Sequence, residues 1–108
     1  MFTLKDKNIV ITGSLGLLGS QFAEIIAKHH GNPILIDLNQ KKLNQQAKLI
    51  NKNYNVNSIG YSIDISDESC FIEKMKTLKN DFKKIDGLIN NAANNPKVED
   101  SKNSFSRL

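Results

Sequence analysis

Cysteine, tryptophan and long apolar runs are scarce in this sequence. Its 108 residues include one cysteine, Cys70, and no tryptophan. A disulfide within the chain is therefore excluded, a metal site is not expected, and the cytoplasm is the expected compartment. Cys70 falls in a predicted helix and is interpreted as a small core residue. No apolar run approaches the roughly 20 residues of a membrane span, and residues 1–7 lack the apolar stretch of a secretory signal.

A concentrated basic surface is also missing. The chain has 15 Lys and Arg against 11 Asp and Glu, a net charge of +4. The lysines are scattered among acidic and apolar residues, as in the segment from Glu73 to Lys76. No arginine-rich or aromatic-interleaved strip is present. The pattern is typical of a solvated surface, so neither a nucleic-acid partner nor a membrane partner is expected.

The rest of the composition suits one soluble domain, with 39% hydrophobic and 24% charged residues. Short β-branched runs predict four strands, at residues 7–12, at 33–37, within 56–65 with Asp64 as the last strand residue, and at 86–91. Helical periodicity predicts three helices, over residues 17–30, from an Asn39 cap to about residue 52, and from a Ser66 cap onward. The residues from Asn94 onward are predicted to form a loop.

Each predicted helix has an apolar face. In the first helix the predicted inward residues are Leu18, Phe22, Ile25, Ile26 and His29. In the second they are Leu43, Ala47 and Ile50, and in the third Phe71, Met75, Leu78 and Phe82. Gly31 is predicted to end the first helix in a left-handed cap conformation, which glycine adopts freely.

The element order predicted from these patterns is β-α-β-α-β-α-β. Strands that alternate with helices indicate an α/β fold with a parallel sheet. Right-handed crossovers and the usual doubly wound arrangement predict a Rossmann-type sheet with helices on both faces and strand order 3-2-1-4.

Three glycines follow the first predicted strand, in the segment TGSLGLLG from Thr12 to Gly19. Gly13 allows a tight turn out of the strand, Gly16 allows the backbone to approach a pyrophosphate, and Gly19 allows the helix to pack closely on the sheet. The pyrophosphate would lie at the helix N-terminus, where free N–H groups and the positive end of the dipole coincide. A P-loop is excluded because no Lys-Ser/Thr pair closes the turn.

The glycine spacing is GxxGxxG rather than the common GxGxxG, so the glycines alone are weak evidence for a dinucleotide site. The residues around them provide the stronger evidence. Asp37 ends the second predicted strand 24 residues after Gly13, close to the spacing expected for the residue that binds the adenosine ribose. A 2′-phosphate beside this carboxylate would be repelled by about 4 kcal/mol per unit charge pair at ~4 Å. NAD is therefore favoured over NADP as the cofactor, although Lys41 and Lys42 soften the preference. The alternative is that the glycines serve only a tight turn.

These features together resemble the short-chain dehydrogenase/reductase family. The resemblance is carried by TGSLGLLG, by Asp37, by Asp64-Ile65 after the third strand and by Asn90-Asn91-Ala92-Ala93 at the end of the fourth. It implies contacts along the glycine turn to pyrophosphate and ribose, contacts of Asp64 and Ile65 to adenine, and contacts of the Asn90 segment beside the ribose. The candidate cofactor-binding residues are Gly13, Ser14, Leu15, Gly16, Leu17, Leu18, Gly19, Asp37, Leu38, Asp64, Ile65, Asn90, Asn91, Ala92 and Ala93.

Two features depart from the family pattern. The usual NNAG is NNAA here, with Ala93 in place of glycine. The glycine spacing is that of extended family members, which include sugar-nucleotide epimerases. An extended-type NAD-dependent epimerase or dehydratase is therefore one alternative, and a non-catalytic nucleotide-binding module is another.

The catalytic residues of the family are missing from this chain. Its members use a Tyr and a Lys four residues later, but Tyr54 is followed at that position by Ser58 and Tyr61 by Ile65. No catalytic residue is assigned. The resemblance implies a homo-oligomeric oxidoreductase that transfers hydride between nicotinamide and the carbonyl or alcohol carbon of an unidentified small molecule. A fifth strand should follow the fourth, so residues 1–108 are interpreted as one truncated dinucleotide-binding domain, inactive alone.

Overall fold

The computed structural model describes residues 2–92, which alternate between strands and helices throughout. The strands are β1 (Asn8–Thr12), β2 (Asn32–Asp37), β3 (Ile59–Ser62) and β4 (Gly87–Asn90). The helices are α1 (Leu17–Lys28), α2 (Gln40–Tyr54) and α3 (Glu68–Phe82). This order confirms the predicted β-α-β-α-β-α-β arrangement. None of the three helices is long and apolar enough to cross a membrane.

The four strands form one parallel sheet in the order β3-β2-β1-β4, as predicted. Val10 on the central strand β1 lies opposite Ile34 of β2 on one side and Leu88 of β4 on the other. The carboxyl ends of all four strands therefore meet at the same edge of the sheet.

Helices cover both faces of the two inner strands, β1 and β2, whose neighbouring residues point to opposite faces. Ile11 and Leu35 face α1 and α2, while Val10, Ile34 and Ile36 face α3. The predicted inward faces of α2 and α3 are confirmed. Leu43, Ala47 and Ile50 are buried in the first core, and Leu78 is buried in the second with Phe71, Met75 and Phe82 packed around it.

The predicted inward face of α1 is wrong in part. Leu18 and Ile25 are each 52% exposed, whereas Gly19, Ala23 and Ala27 are buried together with Ile26. Small residues let a helix approach a sheet closely but contribute little to a hydrophobic pattern. The prediction therefore followed the large side chains, whereas the small residues of α1 contact the sheet.

The end of α1 also differs from the prediction. The left-handed residue is His30, with φ 73°, rather than Gly31. The N–H of Gly31 donates to the carbonyl of Ile26 at 2.9 Å and that of His30 to the carbonyl of Ala27 at 2.9 Å, which is the Schellman arrangement. A small residue is needed at position 31 because a Cβ there would lie 2.8 Å from Cγ2 of Ile26.

The segment between β3 and α3 requires two corrections. β3 ends at Ser62 rather than at Asp64, and the N-cap of α3 is Asp67 rather than Ser66. The Asp67 carboxylate accepts the N–H of Cys70 at 3.1 Å, whereas the Ser66 hydroxyl donates to Oδ1 of Asp64 at 2.6 Å and is not available as a cap. Cys70 is half-buried and belongs to neither core. The Asn39 cap of α2 is confirmed, because its side chain accepts the N–H of Lys42 at 3.0 Å.

Candidate cofactor site

A cavity of about 590 Å³ lies at the carboxyl edge of the sheet, beside the start of α1. Its size is in the usual range for small-molecule sites. The predicted site residues that line it are Gly13, Gly16, Leu17, Leu18, Asp37, Leu38, Asp64, Ile65, Asn91 and Ala92. Ile36, Ile63 and Ser66 also line it and were not predicted. Their only sequence signal is that they lie within one or two residues of Asp37 or Asp64.

The glycine turn carries the chain from β1 into α1 along one wall of the cavity. Gly13 has φ +68°, a left-handed conformation that favours glycine, and a Cβ there would lie 3.0 Å from Cα of Ala92. Gly16 is the N-cap of α1, with no side-chain cap and no acidic residue in the first turn. The first N–H groups of a helix have no partner within the helix, so this end of α1 is suited to bind an anion.

Asp37 also lines the cavity, and both of its carboxylate oxygens are engaged. Oδ2 accepts the N–H of Leu15 at 2.9 Å, and Oδ1 accepts the N–H of Leu38 at 2.8 Å. The first bond connects the end of β2 to the glycine turn. The carboxylate is therefore fixed at the rim of the cavity, and its remaining lone pairs can accept hydrogen bonds from hydroxyl groups.

Asp64 is held by its own loop. Its Oδ1 accepts the hydroxyl of Ser66 at 2.6 Å and the N–H of Ser66 at 3.0 Å. These two bonds to Ser66 hold the pKa of the Asp64 carboxyl below its ordinary value, so the group is ionised near neutral pH. It adds a second acceptor to the cavity wall.

The end of β4 is fastened to β1 by Thr12. The fully buried Thr12 hydroxyl donates to Oδ1 of Asn90 at 2.9 Å and accepts the N–H groups of Asn91 at 3.0 Å and Ala92 at 3.1 Å. This places Asn91 and Ala92 in the cavity wall, while the Asn90 side chain turns to Thr12. Sequence reasoning did not single out Thr12, although its position at the end of β1, directly before Gly13, was a signal. Ala93 lies outside the described residues.

Three predicted site residues lie behind the cavity wall. Ser14 is fully buried, and its hydroxyl donates to Oε1 of Gln46 at 3.1 Å. Leu15 is half-buried and packs on the α1–α2 core. Gly19 is buried against the turn. The side chains of Ser14 and Leu15 are directed toward the protein. Direct contact with a cofactor stays a prediction for these three residues and for the other site residues.

The cavity holds two acids and no base. Among residues 2–92, those that line it include Asp37 and Asp64 but no Lys, Arg or His. Neither tyrosine reaches it: the Tyr54 hydroxyl donates to Oε1 of Glu24 at 2.9 Å, and the Tyr61 ring packs edge-on against Phe82. No group of three or more metal-ligating His, Cys, Asp or Glu occurs in the described part of the chain. The geometry suits a polar, hydroxyl-bearing ligand with an anionic group at α1.

Comparison with known proteins gives a match to the family model for short chain dehydrogenase over residues 7–107. A curated relative from Yarrowia lipolytica, described as a "Probable NADP-dependent mannitol dehydrogenase", is 34% identical over 91 residues, which are 84% of this chain and 32% of that protein. The chain thus spans about a third of that relative's length.

Two solved structures share the fold. An NAD⁺-bound xylitol dehydrogenase is 25% identical with a TM-score of 0.74, over 81% of this chain and 33% of that one. An L-sorbose reductase from Gluconobacter frateurii, complexed with NADPH and L-sorbose, is 24% identical with a TM-score of 0.79, over 95% of this chain and 41% of that one. At that identity the second likeness shows the fold alone. The family match covers nearly the whole sequence, and the chain belongs to the short-chain dehydrogenase/reductase family.

Proposed function

We propose that the full protein is an NAD-dependent oxidoreductase that transfers hydride between nicotinamide and the carbonyl or alcohol carbon of a small molecule. In this proposal the described residues hold the adenosine and pyrophosphate of the cofactor. The observation that carries it is Asp37, whose carboxylate is fixed between two backbone N–H groups at the rim of a cavity that begins at an uncapped helix.

The preference for NAD follows from the charges around that rim. A ribose 2′-hydroxyl can donate to Asp37, whereas a 2′-phosphate would place about −1.5 to −2 charges beside it. Asp64 adds a further negative charge to the same cavity. The nearest lysines along the chain, Lys41 and Lys42, are both exposed in the first turn of α2. Similar proteins are described with NADP or with NAD⁺, so the preference for NAD rests on this chain's own residues.

The test is titration of the full-length protein with NADH and NADPH, followed by nicotinamide fluorescence. We expect NADH to bind at least about tenfold more tightly than NADPH. A tenfold difference in Kd corresponds to about 1.4 kcal/mol, which is less than the repulsion expected between Asp37 and a 2′-phosphate. Asp37→Ser should narrow this ratio, while Asp81→Ser, an exposed acid on α3, should leave it unchanged. Tighter binding of NADPH by the wild-type protein would overturn the cofactor assignment.

Turnover separates an enzyme from a binding module. We expect NAD-dependent oxidation of a polyol or the reverse reduction of a ketose. Mannitol and xylitol with NAD⁺, and sorbose with NADH, are the first panel because similar proteins are named for them. Bound NADH without turnover across a wide alcohol and ketone panel would favour a non-catalytic module. The extended-type epimerase gains no support, since the relatives are described as dehydrogenases and reductases.

The 108-residue chain alone is expected to bind the cofactor weakly and to catalyse nothing. Its sequence has no Tyr followed four residues later by Lys, so these 108 residues do not supply the proton-transfer pair of the family. Turnover by the purified 108-residue chain would contradict this expectation.

A further inference from the structure

We infer that Gln46, on α2, is a positioning residue that orients Asp37 for the adenosine ribose through one shared peptide group. The inference rests on the proposed function and extends it to a residue behind the cavity wall. Gln46 is half-buried and does not line the cavity. Its effect on a bound cofactor would therefore be transmitted through the protein.

The first half of the link joins Gln46 to Ser14. Nε2 of Gln46 donates to the backbone carbonyl of Ser14 at 2.7 Å, and Oε1 accepts the Ser14 hydroxyl at 3.1 Å. A carbonyl oxygen only accepts, so the amide nitrogen has to face it and the side-chain orientation is determined. The two bonds form a closed pair at a residue that is fully buried.

The second half joins the same peptide group to Asp37. The carbonyl of Ser14 and the N–H of Leu15 belong to one peptide unit, and no peptide bond is cis in the part of the chain that the structure describes. In a trans peptide these two groups point in opposite directions. Gln46 therefore holds one side of the unit while the N–H on the other side donates to Oδ2 of Asp37 at 2.9 Å.

The peptide group between Ser14 and Leu15 is therefore bound on its carbonyl side by the amide of Gln46 and on its N–H side by the carboxylate of Asp37. A donor on its carbonyl polarises the peptide and strengthens the hydrogen bond that its N–H makes to Asp37. It also prevents the peptide plane from rotating, which would take the N–H away from Oδ2. Loss of Gln46 should leave Asp37 in place at the end of β2 but free to change its side-chain angle. Ribose recognition should weaken, with little effect on the pyrophosphate end of the site.

The test is the ratio of the Kd for NADPH to the Kd for NADH, measured on the full-length protein. Gln46→Leu removes both bonds, whereas Gln46→Glu keeps an acceptor for the Ser14 hydroxyl but removes the donor. We expect the ratio to fall about fivefold in both Gln46 variants, as the loss of one typical hydrogen bond implies. We expect it to stay within twofold of wild type in the control Gln45→Leu, an exposed residue of the same helix.

The ratio is insensitive to a purely structural role, because a loosened fold weakens both cofactors alike. In an Asp37→Ala background, Gln46→Glu should leave the ratio unchanged if Gln46 acts through Asp37. A ratio unchanged by both Gln46 variants, or the same further fall in the Asp37→Ala background, would overturn the inference. Failure of the proposed function is visible separately, since it appears in the wild-type protein as no NADH binding or as tighter NADPH binding.

Discussion

Gly19 packs directly against the backbone carbonyl of Gly13, and nothing larger than hydrogen fits between them. A Cβ on Gly19 would overlap the Gly13 oxygen and would lie 2.9 Å from Nδ2 of Asn91. Gly16 has a different environment. Its φ of −72° and ψ of 171° suit any residue, and a Cβ there would meet only the Gly13 oxygen, at an ordinary 3.4 Å.

These two glycines should therefore respond differently to alanine. Gly19→Ala should destabilise the full-length protein by about 1–3 kcal/mol, because the helix has to move away from the turn. Gly16→Ala should change stability by less than about 1 kcal/mol yet weaken NADH binding at least about tenfold, since its methyl group would occupy space next to the pyrophosphate. Urea unfolding and NADH titration check both. Unchanged NADH affinity in Gly16→Ala would contradict pyrophosphate binding at this turn.

The residues of the fold and of the site differ in how well the sequence predicts them. The β-branched run that contains Val10 and Ile11 is a local feature, so this strand of the sheet was predictable. The position of Asp37 at a strand end was predictable for the same reason. The roles of Ser14 and Thr12 were not, because they depend on hydrogen bonds to Gln46 and Asn90, 32 and 78 residues away. A local pattern carries no information about such partners.

Thr12 provides a test of one of these long-range connections. Thr12→Val keeps the shape of the side chain but removes the hydroxyl that accepts the N–H groups of Asn91 and Ala92. The N–H of Asn91 keeps a second acceptor, the carbonyl of Ile89 at 3.1 Å. We expect a loss of about 2–4 kcal/mol in the free energy of unfolding, whereas Thr12→Ser, which keeps the hydroxyl, should lose less than about 1 kcal/mol. Chemical denaturation of the full-length protein measures the difference. Equal stability of the two variants would show that water replaces the hydroxyl.

The outer edge of β3 is closed by side-chain amides of α2. Gln40 donates to the carbonyl of Gly60 at 2.9 Å and accepts the N–H of Ser62 at 2.9 Å, which are the bonds that a neighbouring parallel strand would make. Asn51 binds both backbone groups of Ser58, the residue before β3, at 2.9 and 2.6 Å. The edge is thus protected from pairing with a second chain.

Removing both amides should expose this edge. We expect the double variant Gln40→Leu and Asn51→Leu to lose about 1–3 kcal/mol of stability and to associate further as its concentration rises. Sedimentation velocity compares it with wild type and with Gln45→Leu, which adds the same apolar side chain to the same helix away from these bonds. If the double variant and the control sediment alike, the amides do not protect the edge.

Asp86 joins the start of β1 to β4 and makes the fold sensitive to acid. Its Oδ2 accepts the N–H of Asn8 at 2.9 Å, and its Oδ1 lies 3.3 Å from Nζ of Lys84. The hydrogen bond from Asn8, followed by the nearby lysines, holds the pKa of Asp86 below its ordinary value in the folded protein. A lowered pKa stabilises the fold at pH values above the ordinary carboxyl pKa, and the contribution is lost as the pH falls through the folded-state pKa.

Asp86→Asn keeps the shape and one acceptor but removes the charge, so it should be less stable than wild type at neutral pH. The difference should shrink as the pH is lowered below about 3.9, the ordinary aspartate pKa, and should vanish below the folded-state value. Urea midpoints measured from neutral to acidic pH test this, with the exposed Glu73→Gln as the control for general charge loss. A difference between Asp86→Asn and wild type that stays constant with pH would contradict stabilisation by the ionised carboxylate and would assign the loss to packing alone.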